Sequence, residues 1–109
     1  MTSINHSAIT FGVFVPQGWK MELVGIPTAT EKWQAAVDVA VRAERAGFDS
    51  IWVYDHFHNV PRPAHEAVFE CWTVMAAISQ LTKTIRLGQM VGCNLYRPPS
   101  LLAKITSTL

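Results

Sequence analysis

The sequence has few charged residues, few cysteines and no long hydrophobic run. Charged residues make up 16% of the 109 positions and the formal net charge is +1, without the basic stripe that binds nucleic-acid phosphates. Cys71 and Cys93 have no metal-binding spacing and make no disulfide framework. Apolar stretches are far shorter than the roughly 20 residues that cross a bilayer, and no signal peptide is recognisable. We therefore expect a cytoplasmic protein that binds neither nucleic acid nor a membrane.

The apolar residues that are present predict strands and helices in alternation. Half of the residues are apolar, which is typical of one globular unit with a core. Short β-branched and aromatic runs predict strands, and apolar residues at helical spacing predict amphipathic helices. The predicted strands are residues 9–15, 50–53 and 85–91; helices are predicted between Thr28 and Gly47, over residues 66–80, and from Pro98. The polar start, residues 1–7, is expected to be frayed.

The first helix has the clearest boundaries in the sequence. Thr28 and Glu31 have the spacing of a capping box. Arg42 and Arg45 suit the negative end of the helix dipole, and Gly47 can adopt the left-handed conformation that ends a helix. A helix of this length between two strands is long enough for a right-handed βαβ crossover.

The order β-α-β-α-β-α predicts an α/β fold with a parallel sheet. A (β/α)8 barrel needs about 250 residues, so three strands cannot close one. We therefore expect residues 1–109 to be the N-terminal part of a TIM (β/α)8 barrel, about three β/α units with parallel strands, in truncated form. An open sheet edge and half of a core would then favour self-association.

Ligands of parallel β/α folds bind beyond the carboxyl ends of the strands. The predicted loops at that edge are residues 16–25, 54–63 and 92–97. Asp55 and His56 directly follow the second strand. A neutral histidine there can accept or donate a proton near neutral pH, and the aspartate can orient it or bind polar ligand groups. The structural alternative is that Asp55 caps a turn and His56 packs on Tyr54 or Phe57.

Further polar side chains fall at the same predicted edge. His56 and His58 form half of a metal site, which would need ligands from later strands; a solvated loop position is the simpler interpretation of His58. After the third strand, Cys93 and Asn94 place a thiol and an amide towards the barrel mouth. These residues add a second candidate surface to the one after the second strand.

Other distinctive side chains have structural interpretations. Glu70 is predicted on the solvated face of the second helix, because a single helical glutamate is usually solvated. Trp33 and Trp72 are predicted to pack in the core or between helices. By periodicity alone, Met90 suits a core position as well as a ligand position.

Three segments resemble the luciferase-like monooxygenase family, in the order in which that family has them. Residues 11–17 read Phe-Gly-Val-Phe-Val-Pro-Gln and resemble the opening strand. Residues 43–57 read Ala-Glu-Arg-Ala-Gly-Phe-Asp-Ser-Ile-Trp-Val-Tyr-Asp-His-Phe. Residues 85–91 read Ile-Arg-Leu-Gly-Gln-Met-Val and are followed by Asn94 and Arg97. The second segment is more similar to the coenzyme F420-dependent branch than to the flavin mononucleotide (FMN) branch.

The resemblance implies a TIM barrel that binds the deazaflavin ring of F420 at the carboxyl ends of its strands. It implies that Asp55 lies near the cofactor and that His56 lies near the reactive carbon of the central ring. Met90–Val91 matches a non-proline cis peptide that supports the back of the bent ring. Cys93 and Asn94 match polar contacts beside the ring.

One position departs from part of the family. The sugar-phosphate dehydrogenases in it carry a tryptophan soon after the Asp-His pair, where this chain has Asn59 and Val60. The family's phosphate contacts lie mainly on later strands. The sequence therefore does not favour oxidation of a sugar phosphate.

The resemblance implies an F420-dependent oxidoreductase that transfers a hydride between the deazaflavin and a small organic substrate. The predicted catalytic residues are His56 and Asp55. The predicted cofactor contacts are Asp55, His56, Met90, Val91, Cys93 and Asn94, and no metal ligand is predicted. Three alternatives stay open: an FMN-dependent monooxygenase that uses dioxygen, a metal-dependent barrel hydrolase that uses His56 and His58, and an inactive truncated fragment. The resemblance also implies a homodimer for full-length family members.

Overall fold

A computed structural model describes residues 9–109, so the frayed start predicted for residues 1–7 lies outside the described residues. Three strands alternate with three helices, as the sequence predicted. The strands are β1 (Gly12–Phe14), β2 (Ser50–Val53) and β3 (Arg86–Gln89), and the helices are α1 (Ala29–Arg45), α2 (Cys71–Ser79) and α3 (Pro99–Thr108). None of the helices in residues 9–109 has the length and apolar character needed to cross a membrane.

The strands form one parallel sheet in the order β1-β2-β3. Phe14 pairs with Trp52 across the first interface, and Trp52 pairs with Gly88 across the second. Because side chains alternate along a strand, paired residues share one face of the sheet. Because the strands are parallel, their carboxyl ends all lie at the same edge of the sheet. This arrangement confirms the predicted α/β fold of a partial barrel.

The core lies between the sheet and the helices. Ile51 and Val53 of β2 are each 1% exposed, whereas their neighbours Ser50 and Trp52 on the opposite face are partly exposed. The buried cluster consists of Val15, Ala36, Ala40, Ala43, Ile51, Val53, Cys71, Val74, Met75, Ile78 and Ile85. Trp33 and Trp72 pack against this cluster, as predicted. Burial of apolar side chains on the helix side holds the layers together.

The boundaries of α1 follow the predicted signals. Thr28 and Glu31 form the reciprocal capping box: the Thr28 hydroxyl accepts the Glu31 N–H at 3.2 Å, and the Glu31 carboxylate accepts the Thr28 N–H at 3.1 Å. Gly47 follows the helix with a φ of 85°, a conformation that glycine adopts without steric cost. The helix therefore begins and ends where local chemistry dictates.

Other predicted boundaries were wrong by several residues. α2 begins at Cys71 and not at residue 66, because the preceding segment is extended and the Phe69 N–H donates to the Gln17 carbonyl at 2.9 Å. β1 and β3 are also shorter than the predicted residues 9–15 and 85–91. Both pair with the four-residue β2, and a ladder cannot extend past the residues that its partner offers.

Trp52 lies across the open face of the sheet between two glycines. Its indole N–H donates to the Ser50 hydroxyl at 3.0 Å. A β-carbon at Gly12 would lie 2.5 Å from Trp52 Nε1, and one at Gly88 would lie 2.6 Å from Trp52 Cζ3. The close approach of the indole therefore requires glycine on both neighbouring strands.

We expect Gly88→Ala to lower the free energy of unfolding by about 1–3 kcal/mol, because the added methyl group displaces the Trp52 ring. Urea denaturation of the variant and the wild type measures this difference. Gly25→Ala is the matched control, since a β-carbon at Gly25 meets no atom within 4 Å. Equal stability of the Gly88 variant and the wild type would contradict the expectation.

A carboxylate joins the end of α1 to the start of β3. One oxygen of Glu44 accepts the backbone N–H groups of Lys83, Thr84 and Ile85 at 2.7, 2.6 and 3.0 Å. These hydrogen bonds, led by that of Thr84, lower the pKa of Glu44 from 4.5 to about 2. Glu44 therefore stabilises the amino-terminal edge of the sheet, opposite the loops that follow β2 and β3.

The lowered pKa predicts how Glu44 contributes to stability as the pH changes. Because the folded pKa lies below the unfolded value, the contribution is complete above about pH 4.5 and is lost as the pH falls towards 2. We expect Glu44→Gln to be less stable than the wild type at pH 7 and to differ less at pH 2.5, as measured by thermal unfolding. Asp38→Asn, which changes an exposed carboxylate bonded to the Gln34 side chain, is the control. A difference for Glu44→Gln that is the same at both pH values would contradict this account.

Candidate functional site

The segments after β2 and β3 meet through the carboxylate of Asp55. This residue follows β2, and its side chain is fully buried. One oxygen accepts the backbone N–H of Cys93 at 2.8 Å, although Cys93 lies 38 residues further along the chain. The segment after β3 is therefore fixed to the end of β2, at the edge where parallel β/α folds bind ligands.

Arg97 makes a bidentate ion pair with Asp55. Arg97 Nη1 lies 2.6 Å from Oδ2 of Asp55, and Nη2 lies 2.9 Å from Oδ1. Arg97 Nη2 also contacts Oε1 of Glu70. The side chain of Arg97 is 9% exposed, so water screens the pair with Asp55 weakly. The guanidinium thereby connects the end of β2, the start of α2 and the loop after β3.

Glu70 does not lie on a solvated helix face, so that prediction was wrong. Glu70 is the N-cap of α2, and its carboxylate accepts the N–H groups of Trp72 at 3.2 Å and Thr73 at 2.7 Å. A negative charge is favourable at a helix N-terminus. The apolar pattern continues upstream of the true helix start and obscured this role in the sequence.

The buried cluster has a defined charge state. Burial alone would raise the pKa of Asp55, but hydrogen bonds from Arg97, the Cys93 N–H and the Cys71 thiol outweigh it and lower the pKa. The hydrogen bond to Asp55 raises the pKa of Arg97. Burial, followed by the neighbouring Asp55 carboxylate, raises the pKa of the Cys71 thiol. At neutral pH the cluster thus combines an ionised carboxylate, a guanidinium and a neutral thiol.

Asp55 and His56 point away from one another. The Asp55 carboxylate lies on the helix side, where the Cys71 thiol is 3.1 Å from Oδ1. The His56 ring stacks on Trp19, with 4.0 Å between ring centroids and 11° between the planes. Trp19 also contacts Tyr54, at 4.5 Å between centroids. No hydrogen bond in the described part of the chain joins Asp55 to His56.

The Met90–Val91 peptide is cis, as the family resemblance implied. The Met90 N–H donates to the Val53 carbonyl at 2.9 Å, so this peptide lies beside the end of β2. Met90 is 47% exposed and Val91 is 73% exposed. An accessible apolar surface is therefore present at the same edge of the sheet as His56.

Cys93 and Asn94 follow this peptide directly. The Cys93 backbone makes the contact with Asp55 described above, while Cys93 and Asn94 line a cavity of about 180 Å³ together with Arg97 and residues of α3. Asn94 is exposed. Both predicted polar contacts are thus close to the end of β3, in the segment that the Asp55 carboxylate holds.

A buried glutamine, which sequence reasoning did not identify, connects the first loop to the second. Gln17 Oε1 accepts the Tyr54 N–H at 2.5 Å, and Nε2 donates to the carbonyls of Tyr54 and Phe69 at 3.0 and 3.1 Å. Asn59 Nδ2 donates to the Gly18 carbonyl at 2.8 Å. From the sequence, Gln17 and Gly18 indicate only a turn, because burial of an amide leaves no periodic signal.

The arrangement does not favour a metal site. Within residues 9–109, the acidic and thiol groups close enough to share an ion are those of Asp55, Glu70 and Cys71, within 4.8 Å of one another. Arg97 already lies among them and compensates the carboxylate charge. Neither His56 nor His58, the residues of the metal alternative, belongs to this group.

Sequence comparison identifies the relatives of this chain. The profile described as luciferase-like monooxygenase matches residues 9–109. An F420-dependent glucose-6-phosphate dehydrogenase of Amycolatopsis mediterranei (strain U-32) is 34% identical over 91 residues, which cover 79% of this chain and 26% of that protein. A protein of the same name from Intrasporangium calvum is 36% identical over 74 residues, which cover 67% of this chain and 22% of that protein.

Structural comparison agrees with the sequence relationship. The chain is similar to an F420-dependent secondary alcohol dehydrogenase in complex with an F420–acetone adduct, with a TM-score of 0.64 and 25% identity. The match covers 88% of this chain and 26% of that one. The chain thus spans about a quarter of the length of the relatives that it matches. Because the family profile matches residues 9–109, the chain belongs to the luciferase-like monooxygenase family.

Proposed function

We propose that this chain contributes part of the cofactor site of an F420-dependent oxidoreductase, which transfers a hydride between the deazaflavin and a small organic substrate. The observation that carries the proposal is the 2.8 Å hydrogen bond from the Cys93 N–H to Asp55. It fixes the two segments that bear the predicted cofactor contacts at one edge of the sheet. The similarity to proteins described as F420-dependent supports the choice of cofactor.

The accessible side chains at this edge fit a planar ring system. Met90 and Val91 offer an apolar surface on which one face of the ring would rest, and Cys93 and Asn94 follow within reach of its polar edge. When bound, the cofactor supplies the hydride, while the protein supplies binding, orientation and electrostatics. In this proposal Met90, Val91, Cys93 and Asn94 bind the ring.

His56 is the proposed catalytic residue of this segment. Its imidazole is partly exposed, and stacking on Trp19 limits the rotation of the ring. An imidazole can accept or donate a proton near neutral pH, so His56 would hold or release a proton while the substrate is oxidised or reduced. Asp55 contributes to the same site by position, because Arg97, Cys93 and Cys71 already occupy its carboxylate.

We propose no specific substrate from the relatives. Two of these relatives are named for glucose 6-phosphate and the third for a secondary alcohol. In this chain Asn59, which stands where sugar-phosphate dehydrogenases of the family carry a tryptophan, is buried and donates to the Gly18 carbonyl. Its side chain therefore stabilises a loop. We therefore propose only that the substrate is a small organic molecule. For the full-length protein we propose a homodimer.

The FMN-dependent monooxygenase is the second candidate function, since the family profile bears the description of a monooxygenase. Both candidates use the same edge of the sheet and a planar tricyclic ring. They differ in the cofactor that is bound and in the use of dioxygen. Measurement of cofactor preference therefore distinguishes them.

We expect the protein to bind F420 saturably and more tightly than FMN, as followed by the absorbance and fluorescence of each cofactor during titration. We expect His56→Ala to weaken F420 binding, because an imidazole at the ring would be lost. His58→Ala is the matched control, as His58 is an exposed histidine two residues away. Absence of saturable F420 binding by the wild type would contradict the proposal, and tighter binding of FMN would favour the monooxygenase.

A further inference from the structure

We propose that Arg97 is a positioning residue, which sets the distance between His56 and the Met90–Val91 peptide and so shapes the cofactor site without contacting the cofactor. This inference rests on the proposed function, because it concerns the same site. Arg97 lies outside the predicted catalytic and cofactor-binding residues. Its role is indicated by what it joins.

Arg97 holds three separate segments in one place. Its guanidinium pairs with Asp55 at 2.6 and 2.9 Å and contacts Glu70, the N-cap of α2. Asp55 also accepts the N–H of Cys93, which lies in the same loop as Arg97. The loop after β3 is thus closed on the end of β2 by two contacts with one carboxylate.

The position of Asp55 in the chain makes this closure relevant to the site. His56 is the next residue, and its side chain points to the other side, where it stacks on Trp19. The Met90–Val91 peptide precedes Cys93 by two residues. A shift of the Asp55 carboxylate would therefore move both groups of predicted cofactor contacts relative to each other.

The chemistry of the cluster explains why arginine is suited to this position. Its planar fork satisfies both oxygens of Asp55 and still has an N–H for Glu70. Lysine carries the same charge but presents a point charge on a flexible chain, so it cannot make this set of contacts in one geometry. The Asp55 side chain is 0% exposed and that of Arg97 is 9% exposed, so water cannot replace a lost hydrogen bond without entering the cluster.

Arg97→Lys tests the proposal because it retains the charge and removes the fixed fork. Two measurements are made on the wild type and the variant: the affinity for F420 by titration, and the Cys93 amide signal in a ¹H–¹⁵N spectrum without cofactor. We expect a folded variant that binds F420 about tenfold more weakly, by analogy with the loss of metal affinity when the residue that orients a metal ligand is mutated. We also expect the Cys93 amide proton signal to move upfield, because its hydrogen bond to the carboxylate lengthens.

Arg45→Lys is the matched control, since Arg45 is exposed in the last turn of α1. It should change neither measurement. If Arg97→Lys does not fold, as judged by circular dichroism, Glu70→Asp replaces it in the same two measurements. Aspartate is also a good N-cap, but its shorter side chain withdraws from Arg97.

The two proposals fail in different ways. If the wild type does not bind F420, the proposed function fails, while the Cys93 signal still reports whether Arg97 fixes the loop. If the wild type binds F420 and the folded variant binds it equally well, the positioning role of Arg97 is overturned. Weaker binding together with a shifted Cys93 signal supports that role.

Discussion

The ion pair of Asp55 with Arg97 is the interaction on which the arrangement of the candidate site depends. Removing two charges from water is costly, and a buried pair persists where its geometry is good and its remaining oxygens are satisfied. Here both oxygens of Asp55 have partners, which come from the start of α2 and from the loop after β3. Such a pair contributes little to stability compared with apolar packing, but it requires one relative position of the segments that meet there. The ion pair therefore fixes the distance between the loops after β2 and β3, whereas the apolar core packs the helices against the sheet.

Because side chains alternate along β2, the residues that support the fold and the candidate catalytic residue lie on opposite sides of the strand. Ile51 and Val53 face the helices and are buried, and Asp55 continues the same side beyond the strand. Trp52 and His56 lie on the other side, which the described helices do not cover. Asp55, a structural carboxylate, and His56, a candidate proton-transfer group, are thus neighbours in sequence whose side chains point to opposite sides.

The features that could be predicted from the sequence are those with a local or periodic cause. The order of the elements, the capping box of α1 and the meeting of the loops at one edge follow from short-range patterns and from the topology of parallel strands. The start of α2 was misplaced because apolar residues continue upstream into an extended segment. Two contacts were not predicted: the ion pair of Asp55 with Arg97, 42 residues away, and the hydrogen bond of the buried Gln17 with Tyr54, 37 residues away. Contacts between such distant residues produce no recognisable spacing pattern in the sequence. The placement of the cofactor contacts came from family resemblance, and their roles stay predictions.

The hydrogen bonds of the carboxylates have a consequence for the molecule as a whole. Of the eight acidic residues in the sequence, six accept main-chain N–H groups: Glu22, Glu31, Glu44, Asp49, Asp55 and Glu70. Most acidic side chains here thus hold backbone in place: Glu22, Glu31 and Glu70 within a turn or at a helix end, and Glu44, Asp49 and Asp55 between distant parts of the chain. Redesign of the surface charge of this protein should therefore first alter lysines and arginines other than Arg97 and the buried, ion-paired Lys32, because an exchanged aspartate or glutamate would usually release a turn or a helix end.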